Sequence, residues 1–299
     1  MRLREYEADI KTWFLATRPW SFSMSAISVT IGSVWGVQSG FSFGGYFLSL
    51  LGMVALHGAT NLLNDYYDVK NQVDTPSAPT VKYRPHPLVE NAVGLRQVLA
   101  FSLVLYAMGI AVGCYLTATR GWPILAIGVV GVLTAISYTA PPLNLKYHAL
   151  GEPTVFLLWG PLAMVGAHYV QTGNLDPAIV LVSLPFGILV GLVLLANNIR
   201  DMAFDKKQGI KTLPVLLGGH KGRLVYGGLI FAAFLGVVLM SFLGPLSHWS
   251  LLVLLALPLV RPVFRIVSGD CPPDADARTA KLDTAFGVLL LISLLLERC

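Results

Sequence analysis

Nine stretches of mostly apolar residues run along the chain, roughly at 20–39, 46–64, 97–117, 121–138, 153–171, 177–199, 223–243, 247–265 and 281–297, with polar segments between them. A helix needs about 20 apolar residues to cross the hydrocarbon core of a bilayer, with a range of ~17–25. Lipid cannot satisfy open backbone groups, and runs of this length exceed barrel strands, so helices are the expected form. The pattern predicts an all-α polytopic membrane protein. It forms a single domain over residues 1–299, with nine transmembrane helices bundled around a central cavity. Glycines and prolines inside the runs, such as Gly128, Gly131, Pro185, Gly187 and Gly191, suit close packing between membrane helices. The first residues, MRLREYEADIKTWF, mix acids and bases and read as a short amphipathic helix on the membrane surface.

Composition agrees. Hydrophobic residues make up 55% of the chain and charged residues 12%, against ~25% charged in a soluble domain. Too few charges are present to cover a water-exposed surface, and most soluble classes are excluded. Cys114, Cys271 and Cys299 show no paired or metal-ligand spacing. Cys114 lies in an apolar run and is expected in the core.

The few charges are sorted. With nine spans, the N-terminus and the loops after spans 2, 4, 6 and 8 share one side. That side holds 19 of the 21 Lys and Arg, leaving Arg120 and Arg298 opposite. The positive-inside rule makes it cytoplasmic. The net charge of +5 thus reports topology, and no nucleic-acid partner is implied. Of 16 acids, only Asp176 and Glu297 fall on the far side. Any chemistry is expected at the cytoplasmic face.

Two acidic motifs stand at equivalent places. Span 2 ends in NLLNDYYDVKNQVD, with Asn61, Asp65 and Asp68; span 6 ends in NNIRDMAFDKKQGIKT, with Asn197, Asp201 and Asp205. Residues three and four apart share a helix face, so each motif presents its carboxylates together. Their first aspartates are 136 residues apart, which suggests two similar four-helix halves plus a last helix. One such cluster alone fits a solvated helix end equally well. Its recurrence, preceded by Asn both times, points to a site.

Clustered carboxylates repel unless a cation joins them. Oxygen ligands of this kind suit Mg²⁺, held by carboxylates together with substrate phosphates. Lys70, Lys82, Arg84, Arg200, Lys206, Lys207 and Lys211 flank the motifs. Acids, Mg²⁺ and bases together make a diphosphate site, because they neutralise the leaving charge. The loop after span 4, SYTAPPLNLKYHALGE, adds Tyr138 and Lys146. Lys146 is its only Lys or Arg and a candidate for a diphosphate oxygen. Arg18, before span 1, is placed to close the site, and His86 is a weaker candidate for an anionic contact.

NLLNDYYD, SYTAPPLNLKY and NNIRDMAFDKKQGIKTLPVLLG resemble the signature segments of the UbiA superfamily of intramembrane prenyltransferases. The resemblance covers nearly the whole chain. Within it, NNIRD…GIKTL and YTAPPLNLKYHALGE…YVQTG are most similar to the menaquinone branch, the 1,4-dihydroxy-2-naphthoate polyprenyltransferases. The resemblance implies that Asn61, Asp65, Asp68, Asn197, Asp201 and Asp205 hold two Mg²⁺ ions and, through them, an isoprenyl diphosphate. Asn64, Asn198, Arg18, Lys82, Arg84, Lys146, Arg200 and Lys211 would surround the substrate, and Tyr138 would face the prenyl cation. An aromatic acceptor then attacks that cation. The first motif departs from the common form, with Gln72 where a third Asp is frequent and an acid only at Asp74. KYRPHPL is closer to the RPxP loop of other branches, which leaves 4-hydroxybenzoate or a glyceryl-phosphate lipid as alternative acceptors. A non-catalytic prenyl-lipid binding or transport protein is the reading from a different class. The CDP-alcohol phosphotransferase pattern is absent, and the spans show almost none of the mid-membrane ionisable groups of a transporter.

Overall fold

A computed structural model describes residues 9–36 and 40–297, except the side chain of Lys82. Within these residues the secondary structure is helical, save one isolated bridge between His148 and Lys211. Seven helical segments are long and apolar enough to cross a membrane. These are α3 (Phe43–Lys70), α5 (Leu95–Arg120), the pair α7 (Gly151–Leu157) and α8 (Ala163–Thr172), α9 (Pro177–Lys207), α11 (Gly219–Leu243), the segment His248–Ser268 ending in α12 (Val260–Ser268), and α13 (Ala275–Leu296). Two predicted spans are shorter: α2 (Phe22–Val34) and α6 (Trp122–Ser137). Minor helices complete the order: α1 (Ile10–Ala16), α4 (Pro79–Tyr83) and α10 (Leu213–Leu217). Of the expected N-terminal surface helix, α1 is present, capped by Asp9 accepting from the Thr12 amide at 2.8 Å. Residues 1–8 lie outside the described residues.

Small residues set the spacing of the bundle. A β-carbon on Gly32 of α2 would stand 2.3 Å from the Met164 carbonyl oxygen of α8. One on Gly187 of α9 would stand 2.9 Å from the Cα of Gly160. Backbones therefore touch where membrane helices lack a bulk-water driving force and rely on close packing. Between α7 and α8, Leu158–Leu162 form one π-helical turn around Pro161. Such a turn absorbs the amide that proline lacks. The main core lies among α2, α9, α11 and α13, where Ile31, Phe186, Leu192, Tyr226 and Phe286 are fully enclosed. Outward faces carry Leu103, Val129, Leu133, Leu181, Phe231 and Phe242, a lipid-facing apolar surface that identifies an integral membrane protein. Cys114 is exposed on α5 rather than in the core; at its turn the inward positions are taken by residues such as Gly109 and Leu116.

The two longest helices matter most. At 1.5 Å per residue, α3 is about 42 Å long and α9 about 46 Å, against a hydrocarbon core of ~30 Å. Apolar character stops near residues 64 and 199, but no Gly or Pro stands between there and Asn71 or Gly209. The helices therefore carry their polar motifs onward by about two turns. Gly209 then turns the chain at φ +73°.

Candidate active site

The two motifs face one cavity of about 920 Å³, walled by α2, α3, α4, α9, α13 and the loop after α6. Arg18, Asn61, Asn64, Asp68, Arg84, Tyr138, Lys146, Asn197, Asn198, Asp201 and Asp205 all line it. Both motifs occupy the C-terminal ends of their helices. There the macrodipole is negative and adds to the pull of the carboxylates on a cation.

Lys146 reaches the first motif from a loop held by backbone bonds. Its amide donates to the Tyr138 carbonyl at 2.9 Å, and the Lys211 amide donates to the Tyr147 carbonyl at 3.2 Å. The Lys146 ammonium donates to Asn64 Oδ1 at 2.9 Å and pairs with Asp68 Oδ2. Asn64 Nδ2 donates to that same oxygen at 3.0 Å, and the Tyr147 hydroxyl donates to Asp68 Oδ1 at 2.5 Å. Burial opposes the ammonium, but the Asp68 carboxylate outweighs it and holds the Lys146 pKa above its usual range. Burial and Asp68 together raise the Tyr147 phenol, which stays a donor.

In the second motif, the Arg200 guanidinium spans both oxygens of Asp201, at 2.7 and 2.8 Å, and donates to Asn197 Oδ1 at 2.6 Å. It also meets Asp276 of α13 at 3.1 Å. Asn198 Nδ2 donates to Glu152 Oε1 at 2.9 Å. Asp205 is buried, and its Oδ2 accepts a long 3.4 Å bond from Thr212. Asp68, Asp201 and Asp205 are thus carboxylates presented to the cavity by two facing helices.

Asp65 does not share this arrangement. It is buried and absent from the cavity wall; its Oδ1 pairs with Arg18 and with Arg84 at 3.2 Å. The His86 Nε2 lies 3.7 Å from that atom and 3.0 Å from Asp74 Oδ2. Asp65, Asp74 and His86 approach closely enough to hold an ion. Two guanidinium groups already occupy the Asp65 carboxylate, however, and it does not line the cavity. The cluster instead folds the 71–86 segment onto the site. Burial opposes the ionised Asp74, and the His86 hydrogen bond overcomes it and holds the carboxyl below its usual range. Arg200 and Lys211 also stay off the wall: Arg200 is turned to its carboxylates, and the Lys211 side chain is exposed while its amide docks the loop. The side chain of Lys82 lies outside the described residues.

The sequence reading missed a polar relay under Arg18, a residue held at φ +58° before Pro19. Trp159 Nε1 donates to Ser25 Oγ at 3.0 Å, so the Ser25 proton goes to His57 Nδ1 at 2.8 Å. Ser21 donates to the Arg18 carbonyl at 2.7 Å, so its oxygen receives His57 Nε2–H at 3.1 Å. The flanking donors assign the tautomer of this buried histidine. Asn61 Nδ2 adds a bond to the Thr17 carbonyl at 2.9 Å. Serines among apolar residues gave little signal, since single hydroxyls are common in membrane helices. Tyr147 and Glu152 were missed for a related reason: each acts through a neighbour distant in the chain.

Known proteins share this architecture. The description of the UbiA prenyltransferase family matches residues 25–288. The chain is 33% identical over 287 residues to 1,4-dihydroxy-2-naphthoate octaprenyltransferase of Bacillus subtilis (strain 168), covering 94% of this chain and 91% of that protein. It is 31% identical over 296 residues to UbiA prenyltransferase domain-containing protein 1 of Danio rerio, covering 98% and 86%. A UbiA homologue from Archaeoglobus fulgidus, solved bound to GPP and Mg²⁺, superposes with a TM-score of 0.63 at 15% identity, covering 94% of this chain and 99% of the other. A family match across most of the chain, with relatives aligned nearly end to end, leaves one assignment: the chain belongs to the UbiA prenyltransferase family and is an enzyme of that class.

Proposed function

We propose that the chain transfers a polyprenyl group from an isoprenyl diphosphate to an aromatic acceptor, 1,4-dihydroxy-2-naphthoate, in menaquinone biosynthesis. The observation that carries this reading is the meeting of Asp68, Asp201, Asp205 and Lys146 on one cavity that continues into an apolar wall. The Bacillus subtilis relative acts on that acceptor by name. Nine membrane crossings in two similar halves, with the N-terminus and the site at the cytoplasmic face, complete the proposal.

The donor set fits Mg²⁺. Asp205 has one long hydrogen bond to an otherwise unspent carboxylate, and Asn61 and Asn64 line the same cavity. Hard oxygen donors on two helices suit a cation that keeps part of its coordination for phosphate. The archaeal homologue holds Mg²⁺ with an isoprenyl diphosphate. Asp68, Asp201 and Asp205, with Asn61 and Asn197, would hold the metal; Asp65 instead anchors Arg18 and Arg84 at the wall. When bound, Mg²⁺ neutralises the developing charge on pyrophosphate.

The chain's own residues do the rest. Lys146 and Arg84 offer donors to the diphosphate, and Arg18 is held by the Ser21–His57 relay. Tyr138 and Trp159 line the wall where the allylic carbon would ionise, and π faces stabilise a passing cation. The buried wall keeps water from that cation. Once the C–O bond to pyrophosphate has broken, the acceptor carbon gives an electron pair to the allylic carbon, and the ring regains aromaticity by losing its carboxylate as carbon dioxide. The test uses membranes with Mg²⁺, a long isoprenyl diphosphate and either dihydroxynaphthoate or 4-hydroxybenzoate. Prenylated naphthalenediol with stoichiometric pyrophosphate is expected. Transfer only to 4-hydroxybenzoate or a glyceryl phosphate would reassign the acceptor, and tight prenyl-lipid binding without turnover would favour the non-catalytic reading.

A further inference from the structure

The cations of the cavity are not equivalent. Arg18 and Arg84 pair with Asp65, and Lys146 pairs with Asp68. Lys281 of α13 also lines the cavity, and among the described residues no carboxylate lies within ion-pair distance of it. An unpaired ammonium within a membrane helix costs roughly 2.5–3.5 kcal/mol at mid-bilayer and less near its surface. Snorkelling to lipid phosphate is the ordinary remedy; Lys281 is exposed, and it also lines the cavity.

Its depth separates it from the aspartate layer. Asp276, at the start of α13, marks that layer by its 3.1 Å contact with Arg200 beside Asp201. Lys281 lies five residues further along, about 7.5 Å deeper at 1.5 Å per residue. The wall around it is formed by Ala277, Ala280, Ala285 and Val288, with Thr284 held 3.4 Å from Ser23 of α2. The site therefore offers one ammonium and a hydroxyl pair beside a low apolar wall, below the diphosphate-binding layer. A diphosphate needs more cations than this, whereas a flat ring bearing a single carboxylate fits both the wall and the charge.

We infer that Lys281 binds the carboxylate of the aromatic acceptor and so selects carboxylated rings over their decarboxylated counterparts. The inference rests on the prenyl-transfer reading and adds to it the residue that recognises the second substrate. In the reaction, the ring carbon bearing the carboxylate donates its electron pair to the allylic carbon, and pyrophosphate leaves with the C–O pair. The ring–carboxylate bond then breaks, its electrons restore aromaticity, and carbon dioxide departs from Lys281.

The test measures KM in full-length protein in lipid nanodiscs with Mg²⁺, for wild type, Lys281→Gln and Lys281→Arg. Two acceptors are compared: 1,4-dihydroxy-2-naphthoate and naphthalene-1,4-diol, which lacks only the carboxylate. Lys281→Gln is expected to raise KM for the naphthoate about tenfold, equivalent to ~1.4 kcal/mol. KM for the diol and for the isoprenyl diphosphate should stay within about twofold, and Lys281→Arg should recover most of the naphthoate affinity. An equal rise for both acceptors would mean general distortion and overturn the inference. No rise for either would assign Lys281 to lipid phosphate and overturn it too. Wild type that prenylates the diol and not the naphthoate would refute carboxylate recognition while preserving prenyl transfer. Wild type that prenylates neither refutes the prenyl-transfer reading itself, and the inference with it.

Discussion

The contact between Asp68 and Lys146 is the most consequential single interaction in the site, and a double-mutant cycle measures it. The partners are 78 residues apart in the chain. The Asp68 side chain is 2% exposed and that of Lys146 20% exposed. Lys146→Met keeps most of the alkyl volume and removes the charge. Breaking one side of a fully buried ion pair costs ~3–5 kcal/mol. Here Asn64 and Tyr147 still donate to the carboxylate, and Lys146 retains some solvent, so a loss of about 2–3 kcal/mol is expected. Asp68→Asn should cost about the same, because it strands the ammonium. The double variant should lose less than the sum of the two by about 1.5–2 kcal/mol. Tyr147→Phe removes a bond to the other carboxylate oxygen, costs about 1.5 kcal/mol, and should leave the Asp68–Lys146 coupling in place. Thermal unfolding of detergent-purified protein, followed by tryptophan fluorescence, reads all of these. Additive losses, with no coupling between Asp68 and Lys146, would refute the contact as the organiser of the loop after α6.

Three further outcomes follow from the geometry. Gly32→Ala drives a methyl group into the Met164 carbonyl at 2.3 Å; a loss of about 1–3 kcal/mol or more should show as a lower unfolding temperature, while Gly113→Ala, with nothing within 4 Å, should be near neutral. Burial pushes the Cys271 thiol up to about 11, so at pH 8 about one molecule in a thousand is thiolate, roughly two-hundredfold less than for a free cysteine with pKa ~8.5; labelling by a water-soluble maleimide should be slow and rise tenfold per pH unit, and fast labelling at pH 8 would contradict the burial. Lys211→Ala removes an exposed side chain and keeps the amide that docks the loop, so KM for the isoprenyl diphosphate should change less than about threefold, whereas Lys146→Met should raise it by tenfold or more.

The helical architecture and the two acidic motifs were legible because both depend on local pattern: twenty apolar residues in a row, and aspartates one turn apart. What escaped was set by distant contacts. The helical spacing of the motif already put Asp65 and Asp68 on a helix, and α3 carries them to Lys70, but spacing alone could not say which neighbours each would meet. The motif made Asp65 and Asp68 equivalent; the fold gives one to Arg18 and Arg84 and the other to the cavity. Lys211 looked like a substrate cation, and its side chain is exposed while its amide does the work. Cys114 looked like a core residue in an apolar run, but in a membrane protein apolar runs have an outward face as well. His57, Ser21 and Ser25 carried no visible signal, since a relay exists only once α2, α3 and the π-helical turn meet.

The most direct test of the site is product formation in purified protein supplied with Mg²⁺, an isoprenyl diphosphate and 1,4-dihydroxy-2-naphthoate, comparing wild type with Asp68→Asn combined with Asp205→Asn. The account predicts prenylated product matched by pyrophosphate in the wild type, lost on chelation of Mg²⁺ and reduced by at least a hundredfold in the double variant, which should still purify as folded protein. Undiminished transfer in the double variant, or transfer that persists without divalent metal, would contradict it.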